Sequence, residues 1–212
     1  MRRRASFLAL VVVPIALAAC SEGSGREFAR YYDEQGMFAV DLPSANDITV
    51  APPQTAADGP ELLTGVVSSP PAPSPQPQTG LGALGTATTE EPDQTIYRAF
   101  AITSDGFADL EEMTLFFITG DPLIDVVLDD RARLGGSPAR LIVADVVNGG
   151  EVTASVAAAI TLGDGETGYL LAAIFPPGDW EAERDDFGRV LSSFEANVPP
   201  GLATFPLAGP AS

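Results

Sequence analysis

Residues 135–175 read GGSPARLIVADVVNGGEVTASVAAAITLGDGETGYLLAAIF, and this stretch decides the fold class. Three runs rich in Val, Ile, Leu and Ala, from Ala139 to Val147, Val152 to Leu162 and Gly168 to Phe175, have strand length. Asn148-Gly149-Gly150 and Gly163-Asp164-Gly165-Glu166 separate them. Both separators admit the left-handed backbone that a tight hairpin needs. The spacing predicts an antiparallel meander, opened by a turn over Gly135-Gly136-Ser137-Pro138 and broken by Pro176-Pro177-Gly178.

Downstream, Asp179 reads as the cap of a last helix, with Glu181 and Glu183 near its positive end. Trp180, Phe187, Val190, Leu191 and Phe194 fall at helical spacing and are expected to face a sheet. The tail over 197–212 carries four prolines and reads as loose.

Upstream, Thr95 to Thr103 alternates Ile96, Arg98, Phe100 and Ile102 with Tyr97, Ala99 and Ala101, which suits a central strand. Phe107 to Ile118 reads as a helix capped by Ser104 or Asp105 and ended at Gly120. Asp121-Pro122 reads as the start of a second helix carrying Leu123, Ile124, Val127 and Leu128. Residues 68–93 are rich in Pro, Gly and Thr and read as an exposed loop insertion. Glu61 to Val67 and Ile48 to Val50 are short strand candidates. Tyr31-Tyr32 and Phe38-Ala39-Val40-Asp41-Leu42 form a strand pair turning at Gly36, stopped by Pro43. Together these elements specify an α+β class: one antiparallel sheet of about six to seven strands with helices packed on it.

The Tyr31-Tyr32-Asp33-Glu34-Gln35-Gly36-Met37-Phe38-Ala39-Val40-Asp41-Leu42-Pro43 opening resembles the start of PsbP-like domains. The ending is similar too: the Gly135 to Ala139 turn, the meander, Gly168-Tyr169, and a last helix finishing Leu191-Ser192-Ser193-Phe194. The resemblance covers residues 29–196, a single domain, with 68–93 as an extra. It departs at Ser44-Ala45-Asn46, where relatives often show Gly-Trp. The resemblance implies an antiparallel sheet with packed helices and no shared catalytic residues.

The first 19 residues follow a different logic. Arg2, Arg3 and Arg4 form a basic region, and Phe7 to Ala19 an apolar one too short to span a bilayer, as in a signal peptide. Leu17-Ala18-Ala19-Cys20 resembles the lipobox of bacterial lipoproteins, and Cys20 is the only cysteine in the chain. The resemblance implies a diacylglyceryl thioether on Cys20 and cleavage before it. Two or three acyl chains, at about 0.8 kcal/mol per buried CH₂, anchor a protein durably. Arg3-Arg4 with Phe7-Leu8 is similar to a twin-arginine signal, but the spacing is one residue too long, which favours the general secretory route. Residues 20–28 then read as the lipidated cysteine and a polar tether. Ser21 after Cys20 implies an outer-membrane anchor facing the periplasm in a Gram-negative cell, and otherwise the outer face of the plasma membrane.

Composition narrows the chemistry. The formal charge is −18, and losing Arg2–Arg4 takes the mature chain to about −21. Such a surface repels nucleic acid and anionic headgroups. All basic residues are Arg, and there is no His. A histidine base, a Schiff-base lysine and His/Cys metal ligands are therefore excluded, and with one Cys so is an intramolecular disulfide.

Carboxylate pairs stand at Asp33-Glu34, Glu111-Glu112, Asp129-Asp130 and Asp185-Asp186. Neighbours in sequence diverge in direction, so these read as solvated faces rather than acid–base dyads. Asp164-Gly165-Glu166 lacks the alternating oxygens of a calcium loop. Ser192-Ser193 is not in a nucleophile elbow. Trp180 with Phe116, Phe117, Phe187 and Phe194 reads as core. No catalytic residue, metal ligand or cofactor site is assigned.

The expected function is that of a non-catalytic, membrane-anchored envelope lipoprotein supporting another envelope component, with the membrane and an envelope protein as partners. The alternative is an extracytoplasmic carrier of a small apolar ligand. An acidic metal-dependent hydrolase is a more distant third.

Overall fold

The computed structural model describes residues 25–55, 60–71, 94–163 and 166–198. Ten strands and two helices follow in chain order. They are β1 (Phe28–Tyr32), β2 (Phe38–Pro43), β3 (Asp47–Ala51), β4 (Leu62–Ser69), β5 (Ile96–Thr103), α1 (Leu110–Thr114), β6 (Ile124–Leu134), β7 (Ser137–Asn148), β8 (Glu151–Thr161), β9 (Thr167–Phe175), α2 (Trp180–Ser193) and β10 (Glu195–Ala196). A π-helical turn, Leu115–Thr119, continues α1.

Seven strands form one antiparallel sheet in the order β3-β4-β5-β9-β8-β7-β6. The remaining three form a second small sheet, β1-β2-β10. The predicted meander is β7-β8-β9, and β5 lies in the sheet interior between β4 and β9. The α+β class holds, with the small sheet as an unexpected extra layer.

The central strands β4, β5, β9 and β8 of the large sheet are buried on both faces, as their mostly apolar sequences require, while the edge strands β3 and β6 are largely exposed. One face packs under α2 and the small sheet. There Phe38, Val40 and Leu42 of β2 and Phe187 and Val190 of α2 meet Tyr97, Ala99, Tyr169, Leu171 and Phe175. The opposite face carries Phe100, Ile102, Ile142, Val156, Leu170 and Ile174 against Met113, Phe117 and Ile118 of the short helical segment. The alternation read in β5 is therefore correct, and Arg98, only 2% exposed, joins the second face by its parity. Burial pulls the Arg98 pKa down to about 10.

Three local expectations need correction. The helix expected over Phe107 to Ile118 is shorter. Its cap is Asp109, whose side chain accepts the Glu112 N–H, rather than Ser104 or Asp105. After Thr114 the backbone widens into the π turn, closed by Gly120 N–H to the Leu115 carbonyl at 2.8 Å. A Cβ on Gly120 would sit 2.5 Å from that carbonyl oxygen, so the close approach needs glycine.

The second helix expected after Pro122 is instead strand β6. Asp121 does make an Asx turn, its Oδ1 accepting the Leu123 N–H. The chain then extends, because Ile124, Val126 and Val127 are β-branched and a full-length partner strand is available. Gly135 and Gly136, at φ 58 and 86, close the β6–β7 hairpin on their own, as a type I′ turn does. Ser137 and Pro138, read as turn residues, already belong to β7.

Candidate functional site

The N-terminal stretch read as a tether is partly folded. Arg26 lies against α2 and holds Glu183 through two hydrogen bonds and Asp186 through a third at 3.0 Å. The spacing of Glu183 and Asp186 puts both on the helix face that also carries Phe187 and Val190. They are 8% and 5% exposed, so Asp186 is not on the solvated face expected of it, whereas Asp185 is exposed. Tyr97 donates its hydroxyl to Glu183 Oε2 from the sheet below, at 3.3 Å. The hydrogen bond to Glu183 raises the Arg26 pKa, so the guanidinium stays charged at every accessible pH. Burial first, and the Glu183 charge second, push the Tyr97 hydroxyl well above the ordinary phenol range.

Beside this clamp runs a groove of about 1030 Å³ between α2 and the β6–β7 hairpin. Leu128, Leu141, Trp180 and Leu191 supply apolar lining, and Arg26, Arg184 and Arg189 its basic groups. Arg189 also covers the Phe28 ring at 4.3 Å, a cation–π contact that fixes the start of β1 under the helix. Trp180 packs on Phe175 and Phe187 but is only half-buried, at the margin of the core it was expected to join.

Asp33 is buried, contrary to the solvated reading. Its Oδ2 accepts the N–H groups of Gln35 and Met37, and its Oδ1 the Thr64 hydroxyl at 2.7 Å. One carboxylate thus closes the β1–β2 turn and ties it to β4. The other candidates are structural as well. Glu112 Oε2 accepts the Ala108 N–H while Asp109 accepts the Glu112 N–H, a reciprocal capping arrangement. Asp129 takes a two-pronged pair from Arg140 across the hairpin, which holds its carboxyl below the usual range. Ser193 Oγ accepts the Asp41 N–H and donates to the Val190 carbonyl, and Ser192 Oγ donates to the Arg189 carbonyl. Asp33, Asp109, Glu112 and Asp129 are each engaged by a backbone N–H, a hydroxyl or a guanidinium. Leu17, Ala18, Ala19, Cys20, Asp164 and Gly165 lie outside the described residues.

At the opposite face the π turn splits four consecutive apolar side chains. Phe117 and Ile118 enter the core, while Leu115 and Phe116 stay 54% exposed. Phe116 was expected in the core. It instead sits 5.0 Å from Phe117 and 5.5 Å from Phe107, ring centre to ring centre.

Sequence reasoning passed over Arg26 and the burial of Glu183. The signal was present: positions 183, 186, 187 and 190 form one helical stripe, so its two acids had to be buried with its two hydrophobes.

No protein-family model matches the chain, and no curated protein matches it in sequence. Among solved structures the fold is similar to the solution structure of cyanobacterial PsbP (CyanoP) from Synechocystis sp. PCC 6803. The TM-score is 0.51 at 13% identity, over 85% of this chain and 98% of that one. The crystal structure of LpqN, involved in cell envelope biogenesis of Mycobacterium tuberculosis, aligns with a TM-score of 0.44 at 17% identity, over 82% of this chain and 92% of that one. The chain therefore has the PsbP-like α+β fold that its opening and closing motifs imply.

Proposed function

We propose that this chain is a lipoprotein of the cell envelope, anchored through acyl chains on Cys20, whose domain supports another envelope component without catalysing a reaction. The observation that carries the reading is the Arg26 clamp. The chain joins the fold through a part-buried ion-pair network six residues after Cys20. Six residues reach at most about 20 Å, so a lipid on Cys20 holds the α2 side of the domain close to the bilayer. The residue inventory agrees, since a chain with no His offers no histidine base for triad chemistry.

Metabolic labelling with radioactive palmitate tests the anchor. The wild-type protein should take up label and sediment with membranes, and Cys20→Ser should do neither. A wild-type protein that stays unlabelled, or a Cys20→Ser variant that is still processed and membrane-bound, refutes the proposal.

The groove under α2 favours one second reading, carriage of a small apolar ligand, because Leu128, Leu141 and Leu191 line it together. Native mass spectrometry of protein from its own host separates the two. A stoichiometric small molecule that Leu141→Arg abolishes supports carriage, and the mass of the acylated polypeptide with no further adduct supports the first reading.

A further inference from the structure

Leu115 and Phe116 are the most exposed large hydrophobic residues outside β6 among the described residues. They project from the π turn as one knob. The Phe116 ring is half in solvent yet braced by Phe107 and Phe117, so its position is set before anything binds. Such bracing lowers the ordering cost of docking, and a rigid aromatic at a patch centre is the usual anchor of a protein interface. A cavity of about 510 Å³ opens beside it, bounded by Pro60, Asp105, Phe107, Glu112, Leu115 and Phe116.

The surroundings of the knob are acidic. Asp105 and Glu112 border the same cavity, and Asp109 and Glu111 are exposed at the start of α1. Arg140, which lies in the field of Glu111, is already paired to Asp129. This charge decides among occupants. An anionic bilayer would repel it. A second copy docking by the same patch would set acid against acid, in a chain already at −18. A partner with an apolar pocket edged by Lys and Arg satisfies both the rings and the carboxylates.

We propose that the Leu115–Phe116 knob, with its rim of Asp105, Asp109, Glu111 and Glu112, docks into an apolar pocket rimmed by basic side chains on a protein partner. This rests on the reading that the domain supports another envelope component, and it names the surface used.

Photo-cross-linking in host membranes tests it, with p-benzoylphenylalanine replacing Leu115 in the full-length chain. Irradiation should give one protein adduct, whose cross-linked peptide holds apolar residues flanked by Lys or Arg. The adduct should weaken as salt rises from about 0.05 M to about 0.5 M before irradiation. Phe116→Ser, added to the probe-bearing chain, should cut the yield by about tenfold or more. The same substitution should move the melting temperature by less than about 4 °C, since Phe116 is half exposed. The same probe at Ile48, exposed on the far edge strand β3, is the control. No adduct, an adduct to lipid or to a second copy, a partner peptide without basic residues, or an equal yield from Ile48 overturns the proposal. Palmitate labelling of the same variants reads the anchor separately, so failure of docking and failure of anchoring are told apart.

Discussion

Arg26 grips Glu183 with two nearly parallel hydrogen bonds, Nη1 to Oε2 at 2.6 Å and Nη2 to Oε1 at 2.9 Å. The pair spans 157 positions and fastens the entry of the fold to its last helix. Tyr97 approaches the same carboxylate from β5, so one side chain links the N-terminal segment, the helix and the large sheet.

Arg26→Ala removes the guanidinium that neutralises two buried carboxylates. Urea unfolding should show a loss of about 2–4 kcal/mol. Adding Glu183→Gln and Asp186→Asn to that variant should return part of the loss, because the buried charge is then gone. An unchanged urea midpoint for Arg26→Ala would mean that the clamp contributes nothing.

Asp33→Ala strips an acceptor from two backbone N–H groups and from Thr64, itself 2% exposed. The expected cost is about 2–3 kcal/mol, since hydrogen bonds to a charged group are the strong ones. A double-mutant cycle with Thr64→Val isolates the long-range contact, and the two changes should be clearly less than additive. Strict additivity would remove the link between the β1–β2 turn and β4.

Gly120→Ala forces a methyl group against the Leu115 carbonyl that closes the π turn. We expect a loss of about 1–3 kcal/mol, as for other overpacked sites. The Phe107, Phe116 and Phe117 resonances should shift together in NMR spectra, because the turn positions Phe116 and Phe117 and the Phe107 ring packs on both. Unperturbed ring signals would show that the turn does not depend on this glycine.

Alkaline pH should weaken the fold. Burial raises the pKa values of Tyr31 and Tyr97, so both stay protonated in the folded state while their unfolded counterparts ionise. Their contribution is complete below about pH 10 and falls as pH rises above it, by about 1.4 kcal/mol per unit for each tyrosine. Arg98 acts in the opposite sense above its folded value of about 10, since there the unfolded chain, with its ordinary higher pKa, binds the extra proton. Two tyrosines outweigh one arginine. Tyrosinate absorbance should therefore show at least two of the four tyrosines ionising only as the chain unfolds. Free titration of all four in the folded protein would contradict this.

The meander was legible because its turns are punctuated by residues that tolerate positive φ, and its strands could hardly run otherwise between them. The last helix was legible for the spacing of Trp180, Phe187 and Val190. The segment from Asp121 to Leu134 misled because Asp-Pro followed by apolar residues at 123, 124, 127 and 128 satisfies a helix start and a helical stripe. Its β-branched residues and the Gly135-Gly136 turn were the competing signals, and pairing with β7 settled the contest. The four apolar residues Leu115 to Ile118 likewise gave no hint of which two would face solvent.

The linear order of residues by itself determined the α+β class, the succession of hairpins and the exclusion of histidine and lysine chemistry. Those properties depend on composition and on neighbours a few positions apart. Only the tertiary structure decided that Arg26 belongs to the fold, that Asp33 and Asp186 are buried, and that Phe116 stands in solvent. Each of these depends on what a distant segment offers: a guanidinium for a carboxylate, a hydroxyl for a turn, or a sheet face with room for two of four hydrophobic side chains. Local periodicity carries no record of that supply, because burial and charge pairing are settled between elements rather than within them.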